Sequence, residues 1–302
     1  MYYINETNNS QHEYPTYGRQ FCTYKWFKPI ILSVLTGIFY FAFVIILMLC
    51  TTFSQPDDGK LSLETLDFNN IRLSIFVLGS LAVAIPALWI ASKIVRDRPF
   101  SSYSSSRGGW NFKVFFICLP IAVLFSSVPN IVQIYLATGF KTDVSLSLMG
   151  FLVILLLAPL QCIAEEYLFR SVLMQTLGSW IKIPLVAVVA QALVFGFSHT
   201  YNVAGFLSVM ISGFFYGLAA YITRGLEASS AQHIANNAPI FFFIGMNIIR
   251  VSGGSPTFTT VLYTLITDGL YLLVLFILKK KTRLFDEVTK DDLAAWNEKH
   301  AA

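Results

Sequence analysis

An all-α bundle of about eight membrane-crossing helices is predicted by three features of this chain. Of its 302 residues, 55% are hydrophobic and only 13% charged, against about 25% charged in a water-soluble domain. The apolar residues gather in runs of the length a bilayer requires, about 20 residues in a helix. The lysines and arginines fall between these runs, 17 of the 21 on alternate connections, the pattern made by an excess of positive charge on the cytoplasmic side.

Taken in order, residues 1–28 form a polar N-tail. It has no basic start leading into a short apolar core, so no cleavable signal peptide is expected, and the first span serves as the insertion signal. Spans are expected at 29–50, 71–94, 114–137 and 145–164, the last continuing as an amphipathic helix to 177. Four more follow at 184–197, 203–222, 229–249 and 258–278. An even number puts both termini on one side, and the charge bias makes that side cytoplasmic. Only Lys60, Arg72, Lys141 and Arg250 fall on the outer side. The Ser and Gly-rich segment 101–109 reads as a flexible connector, the Lys279-Lys280-Lys281 run as a stop anchor, the charged tail from Arg283 as a short helix, and the prolines within spans as kinks that neighbouring helices stabilise. A fold of this kind partners a lipid bilayer. The net charge of +4 follows topology, and no basic, aromatic-interleaved domain exists to bind nucleic acid. Cys22, Cys50, Cys118 and Cys162 lack a CxxC pair and read as packing residues rather than a disulfide or zinc framework.

The chemistry concentrates in Cys162-Ile163-Ala164-Glu165-Glu166-Tyr167-Leu168-Phe169-Arg170. An ionisable side chain at the bilayer centre costs at least ~2.5–3.5 kcal/mol on insertion scales, so its presence points to function. On a helix Glu166 and Arg170 share a face and are expected to pair. Glu165, one position round, has no basic neighbour, and a desolvated carboxylate of this kind can act as a general base on water. Of the four histidines, His12 and His300 lie in the tails. His199 closes the fifth span after Phe195, and His233 opens the seventh, one turn before Asn237. At ~1.5 Å per helical residue from the turns near Gly178 and Gly225, Glu165 lies ~18 Å deep, Asn237 ~13 Å, His233 ~8 Å and His199 ~23 Å. That band predicts one shared cavity. Asp268 in the last span, with Gln161, Gln191 and Asn236, reads as interhelical hydrogen bonding, and Phe195 as a packing residue that positions His199.

The three motifs EExxxR (Glu165, Glu166, Arg170), FxxxH (Phe195, His199) and HxxxN (His233, Asn237), in this order on separate membrane helices, resemble the CAAX protease and bacteriocin-processing (Abi) family, which includes the type II CAAX prenyl endopeptidases. The resemblance implies a catalytic core over 141–250, preceded by membrane helices at 29–140 and followed at 251–302 by the last helix and a basic cytoplasmic tail. It implies an intramembrane endopeptidase acting on a membrane-associated protein or peptide, with a bacterial plasma-membrane location. Glu165 would activate water with help from His199, and His233 and Asn237 would stabilise the oxyanion. Glu166, Arg170 and Phe195 would support the site. A His₂Glu set of Glu165, His199 and His233 could instead hold a divalent metal, zinc, with an open position for water. The metal-bound and metal-free mechanisms stand as equal alternatives at this point. A non-catalytic scaffold or bacteriocin-immunity protein that binds a peptide or partner is the alternative function, and a proton-coupled transporter, which would show internal repeats, the third.

Overall fold

The computed structural model describes residues 13–52, 68–142, 145–199, 201–249, 256–286 and 292–301. His12, Lys60 and Arg250 lie outside the described residues. A 3-10 helix, Tyr14–Gln20, leads to α1 (Lys28–Thr52), α2 (Ile71–Ala82) and α3 (Ala84–Val95). The short α4 (Ser101–Ser104) precedes α5 (Phe112–Ala122), which runs through a widened π turn, Val123–Ser127, into α6 (Val128–Thr138). In the same way α7 (Leu148–Glu166) runs through a π turn, Tyr167–Leu173, into α8 (Met174–Ile181). Then come α9 (Pro184–Phe197), α10 (Val203–Thr223), α11 (Glu227–Gly245), α12 (Phe258–Lys281) and α13 (Asp292–His300).

Side-chain caps explain where most long helices begin. Asn70, Asn111, Ser147 and Asn202 each accept a hydrogen bond from a first-turn N–H of α2, α5, α7 and α10, and Thr257 opens α12 with a capping box, which satisfies donors that helix geometry leaves orphaned. Pro159 lies inside α7 without breaking it. The departure from α geometry falls after the glutamate pair, at Tyr167–Leu173, and widened turns of this type are frequent at functional sites.

Six helical runs among the described residues are long and apolar enough to cross a membrane: Lys28–Thr51, Ile71–Val95, Phe112–Thr138, Leu148–Ile181, Val203–Thr223 and Phe258–Lys281. The chain is an integral membrane protein. Its surface is the inverse of a soluble domain: Ile30, Val34, Ile38, Phe41 and Ile45 of α1 face outward, while Glu166, Arg170, Gln175, Gln191 and Gln232 are buried. The other two expected spans are helices in the expected places, but they do not meet the same test. α9 has 14 residues, and α11 carries Glu227, Gln232, His233, Asn236 and Asn237. The reason is position. Every residue of α11 from Glu227 to Ala235 is buried, so this segment has no face turned to lipid and needs no apolar exterior. Its small Ala228, Ser229, Ser230 and Ala231 let α5, α7 and α10 approach closely.

One end of the bundle is closed by a polar floor, and here the composition-based reading fails. Segment 101–109 is not a flexible connector: residues 102 to 107 are buried. The backbone of Ser105 bridges antiparallel to Gly225, Ser106 N donates to Arg224 O at 2.9 Å and Leu226 N to Ser104 O at 2.9 Å. Arg107 pairs with Glu227 at 2.7 Å, both buried, and Glu227 also accepts from Asn111 N at 2.7 Å. Serines in this sequence are hydrogen-bonding side chains for a packed loop rather than markers of freedom. Tyr103, whose phenol burial pushes well above its ordinary range, donates to Asp97 at 2.9 Å, and Tyr14 donates to the Tyr103 carbonyl. The two tails clasp across this floor. Trp296 Nε1 donates to Thr23 Oγ1 at 2.7 Å, Cys22 N to Asn297 Oδ1 at 2.8 Å, and Leu293 packs on Tyr17 and Phe21. Cys118 and Cys162 are buried, as packing residues should be, whereas Cys22 and Cys50 are exposed.

Gly178 shows how tightly the N-terminal 3-10 helix is held. A Cβ there would stand 2.0 Å from Pro15 O, whereas one at Gly37 would meet nothing within 4 Å. Gly178→Ala is therefore expected to destabilise the protein by about 1–3 kcal/mol, as overpacking does, and Gly37→Ala to leave the floor in place. Thermal unfolding of the two variants in detergent checks this, and a Gly178→Ala protein as stable as Gly37→Ala would mean that the 3-10 helix is not docked.

Candidate active site

Glu166 and Arg170 are both fully buried, and Arg170 Nη1 lies 3.1 Å from Glu166 Oε1, the pair that their spacing predicts. Among the described residues the guanidinium makes no directed hydrogen bond. It is held instead as an ion pair within an aromatic cage, 4.2 Å from the Phe195 ring centroid, 5.2 Å from Tyr216 and 6.0 Å from Phe169, where the rings' negative faces favour a cation. Phe195 thus supports Arg170 as well as His199.

His233 Nδ1 lies 2.9 Å from Glu166 Oε1. A carboxylate paired with an arginine only accepts, so Nδ1 carries the proton and donates. The other ring nitrogen, Nε2, then accepts from Asn237 Nδ2 at 3.1 Å, and Asn237 Oδ1 accepts from Asn236 Nδ2 at 2.9 Å. His233 therefore belongs with the structural carboxylate rather than with Glu165. Adjacent residues on a helix point about 100° apart. With Glu166 turned toward α11, Glu165 must face elsewhere.

It faces an apolar cavity of about 670 Å³ between α1, α3 and the α7–α8 helix, lined also by Tyr40, Leu168, Phe169 and Trp180. His233 and Asn237 line a second, more polar cavity of about 410 Å³, with Asn236, Tyr263 and Asp268. The single shared cavity expected from depth is thus two, and His199 lines both. His199 Nδ1 donates to the Phe195 carbonyl at 2.9 Å, and its ring stands edge-on to Phe195 at 4.9 Å. In the neutral ring, Nε2 is left as an acceptor at the junction. The FxxxH spacing is a positioning device: carbonyl and ring of one residue fix the imidazole four residues on.

The three residues of the zinc alternative are divided here, with Glu165 on the apolar cavity and His233 on the polar one. Both nitrogens of His233 are engaged by protein groups, and no group of three His, Cys, Asp or Glu side chains able to hold a metal converges among the described residues.

Three residues enter the site without a motif to announce them. Asp268 accepts from Ser212 at 2.8 Å and Gln232 at 2.9 Å, the interhelical bonding expected of it, yet it also lines the polar cavity. Asn130 of α6 and Tyr263 of α12 join the Asn236 amide, Tyr263 Oη donating to Asn130 Oδ1 at 2.8 Å and Asn130 Nδ2 to Asn236 Oδ1 at 3.1 Å. Gln191 behaves as predicted, donating across helices to Gly213 O at 2.7 Å.

Residues 146–239 match the family described as type II CAAX prenyl endopeptidase, Rce1-like, and this stretch contains all seven motif residues; the resemblance drawn from the motifs is borne out. The uncharacterized protein YyaK of Bacillus subtilis (strain 168) is 28% identical over 191 residues, which cover 59% of this chain and 63% of that protein's length. No solved structure matches the chain.

Proposed function

We propose that this chain, with the sequence of the Rce1-like endopeptidase family over residues 146–239, is an intramembrane endopeptidase that cleaves a membrane-associated protein or peptide of CAAX-processing type. The observation that carries the reading is the place of His199, at the junction of an apolar cavity that holds Glu165 and a polar one that holds His233 and Asn237. The scissile bond sits at that junction. Glu165 takes a proton from a water molecule, the resulting hydroxide adds to the peptide carbonyl carbon, and the carbonyl oxygen becomes an oxyanion. One Asn237 N–H is committed to His233, and the second is the donor for that oxyanion, a role in which fixed dipoles act most strongly in a low-dielectric site. His199 Nε2 orients the attacking water. The protonated Glu165 then returns its proton to the leaving nitrogen as the C–N bond breaks.

His233 has a different part from the one its motif implies. With Nδ1–H given to Glu166 and Nε2 accepting, it is the orienter of Asn237 rather than a donor to the oxyanion. The mechanism runs on protein groups and water, in keeping with the engaged nitrogens of His233. The charge bias puts the polar floor on the cytoplasmic side.

The test compares all new peptide termini in host membranes expressing the parent or Glu165→Gln at matched levels. Termini that appear only with the parent establish proteolysis and identify the substrate. A phenotype that persists with Glu165→Gln, with no terminus depending on Glu165, would replace this reading with the scaffold one. For metal dependence, chelator dialysis that abolishes cleavage, with zinc restoring it, would overturn the metal-free mechanism.

A further inference from the structure

The geometry points to Asn130 and Tyr263 as positioning residues: we propose that they set the orientation of the Asn237 side chain, and through it the face of His233, by an uninterrupted chain of hydrogen bonds across three helices. The inference rests on the peptidase reading for the task of Asn237, though not for the geometry itself. Both residues lie outside the stretch 146–239 that carries the family motifs.

The chain runs in one direction. Tyr263 Oη donates to Asn130 Oδ1 at 2.8 Å, Asn130 Nδ2 to Asn236 Oδ1 at 3.1 Å, Asn236 Nδ2 to Asn237 Oδ1 at 2.9 Å, Asn237 Nδ2 to His233 Nε2 at 3.1 Å, and His233 Nδ1 to Glu166 Oε1 at 2.9 Å. Each amide in such a series has two possible orientations related by exchange of its oxygen and nitrogen. Turning Asn236 or Asn237 would set donor against donor and acceptor against acceptor at its two neighbours, and turning Asn130 would do so at Asn236, while the Tyr263 hydroxyl can donate or accept and follows Asn130, so the three amides turn together or not at all.

What decides between the two directions is a contact outside the chain. Asn130 Nδ2 also lies 3.4 Å from the backbone carbonyl of Asn236. A main-chain carbonyl can only accept, so the amide group nearest it must be the nitrogen. That fixes Asn130, Asn130 fixes Asn236, and Asn236 fixes Asn237 with its nitrogen toward His233 and its oxygen away from the oxyanion position. The opposite end agrees, because the Glu166 carboxylate requires a proton on His233 Nδ1. Asn237 is thus held from two ends, by His233 Nε2 and by Asn236, and Asn236, part-buried at the wall of the polar cavity, where water could bond either end of its amide, takes its direction from Asn130. Bonds in series also polarise one another, which strengthens the arrangement beyond its separate members.

The test uses the full chain in detergent micelles with ring-¹⁵N histidine. Only four histidines are present, so the spectrum is sparse, and His233→Gln assigns the ring in question. In the parent, His233 should show a protonated Nδ1 and an Nε2 shifted by an accepted hydrogen bond. Asn130→Asp keeps the volume of the side chain and the bond from Tyr263, but it cannot donate. Asn236 should then turn to donate to it, Asn237 should follow, and the His233 Nε2 resonance should move away from its hydrogen-bonded position while that of His199 stays. A role in packing alone would not move it. Tyr263→Phe, which removes only the hydroxyl, should shift the same resonance in the same direction by less, and it decides the question if Asn130→Asp does not fold. A His233 signal that superimposes on the parent in the folded variants would overturn the proposal. On the substrate found by terminus mapping, Asn130→Asp should lower kcat about tenfold with KM within about twofold, the scale of losing a residue that orients a catalytic group. Failure of the peptidase reading would appear separately, as a parent chain that cleaves nothing while its ring signals still respond to Asn130.

Discussion

Arg170→Ala is expected to destabilise the protein by about 3–5 kcal/mol, the usual cost of leaving one member of a buried ion pair without the other. Arg170 and Glu166 have no exposure, and their charged atoms lie 3.1 Å apart. Removing the guanidinium also empties the space enclosed by Phe195, Tyr216 and Phe169 and leaves the buried Glu166 carboxylate without its arginine partner. The check is unfolding in detergent, followed by tryptophan emission, of Arg170→Ala, Glu166→Gln and the double variant Glu166→Gln/Arg170→Met. The double variant should recover much of the loss, because Met fills the cage and Gln still accepts the His233 proton. Equal stability of Arg170→Ala and the parent would mean that the pair contributes nothing. A double variant no better than Arg170→Ala would assign the loss to packing rather than to the uncompensated carboxylate.

Asn237→Ala is expected to lower kcat by about 10²–10³, the measured scale for removing one oxyanion donor, with KM little changed. The second N–H of Asn237 has no duty in the ground state, whereas the first is committed to His233. A loss confined to KM would assign Asn237 to substrate binding instead. His233→Gln should be milder than Asn237→Ala in the same assay if His233 acts by orienting Asn237, since glutamine retains a polar group for it. A reversal of that order would return His233 to direct contact with the reacting atoms.

The positions of the helices were legible in the apolar runs, because crossing hydrocarbon demands length and apolarity at once. The Glu166–Arg170 pair was equally legible, since helical spacing alone puts the two on one face. The direction in which Glu165 points was not. Two adjacent carboxylates diverge by about 100°, and only the packing of α11 against α7 decides which of them meets His233. The packing of the loop at 101–109 is not legible in its serine content, which carries no information about partners: its hydrogen bonds go to Arg224 and Leu226, more than 100 residues on. For the same reason Asn130 and Tyr263, polar residues in two largely apolar spans, give no sign in the sequence of meeting beside Asn236. A polar residue without a local partner is best matched against others of its kind on distant spans, because hydrocarbon leaves it nowhere else to bond.

The clasp between the tails bears on the order of biosynthesis. Residues 13–24 leave the ribosome before any of the spans, yet their contacts on Trp296, Asn297 and Leu293 come from residues made after the last of them. The spans can enter the bilayer one after another as they are made, and the floor can pack once residue 227 is in place, but the clasp across it cannot close until α13 has been synthesised. A protein stalled or truncated before residue 292 would therefore have its membrane helices and the floor in place and an open clasp, a state that limited proteolysis near Cys22 and Thr23 would distinguish from the finished molecule.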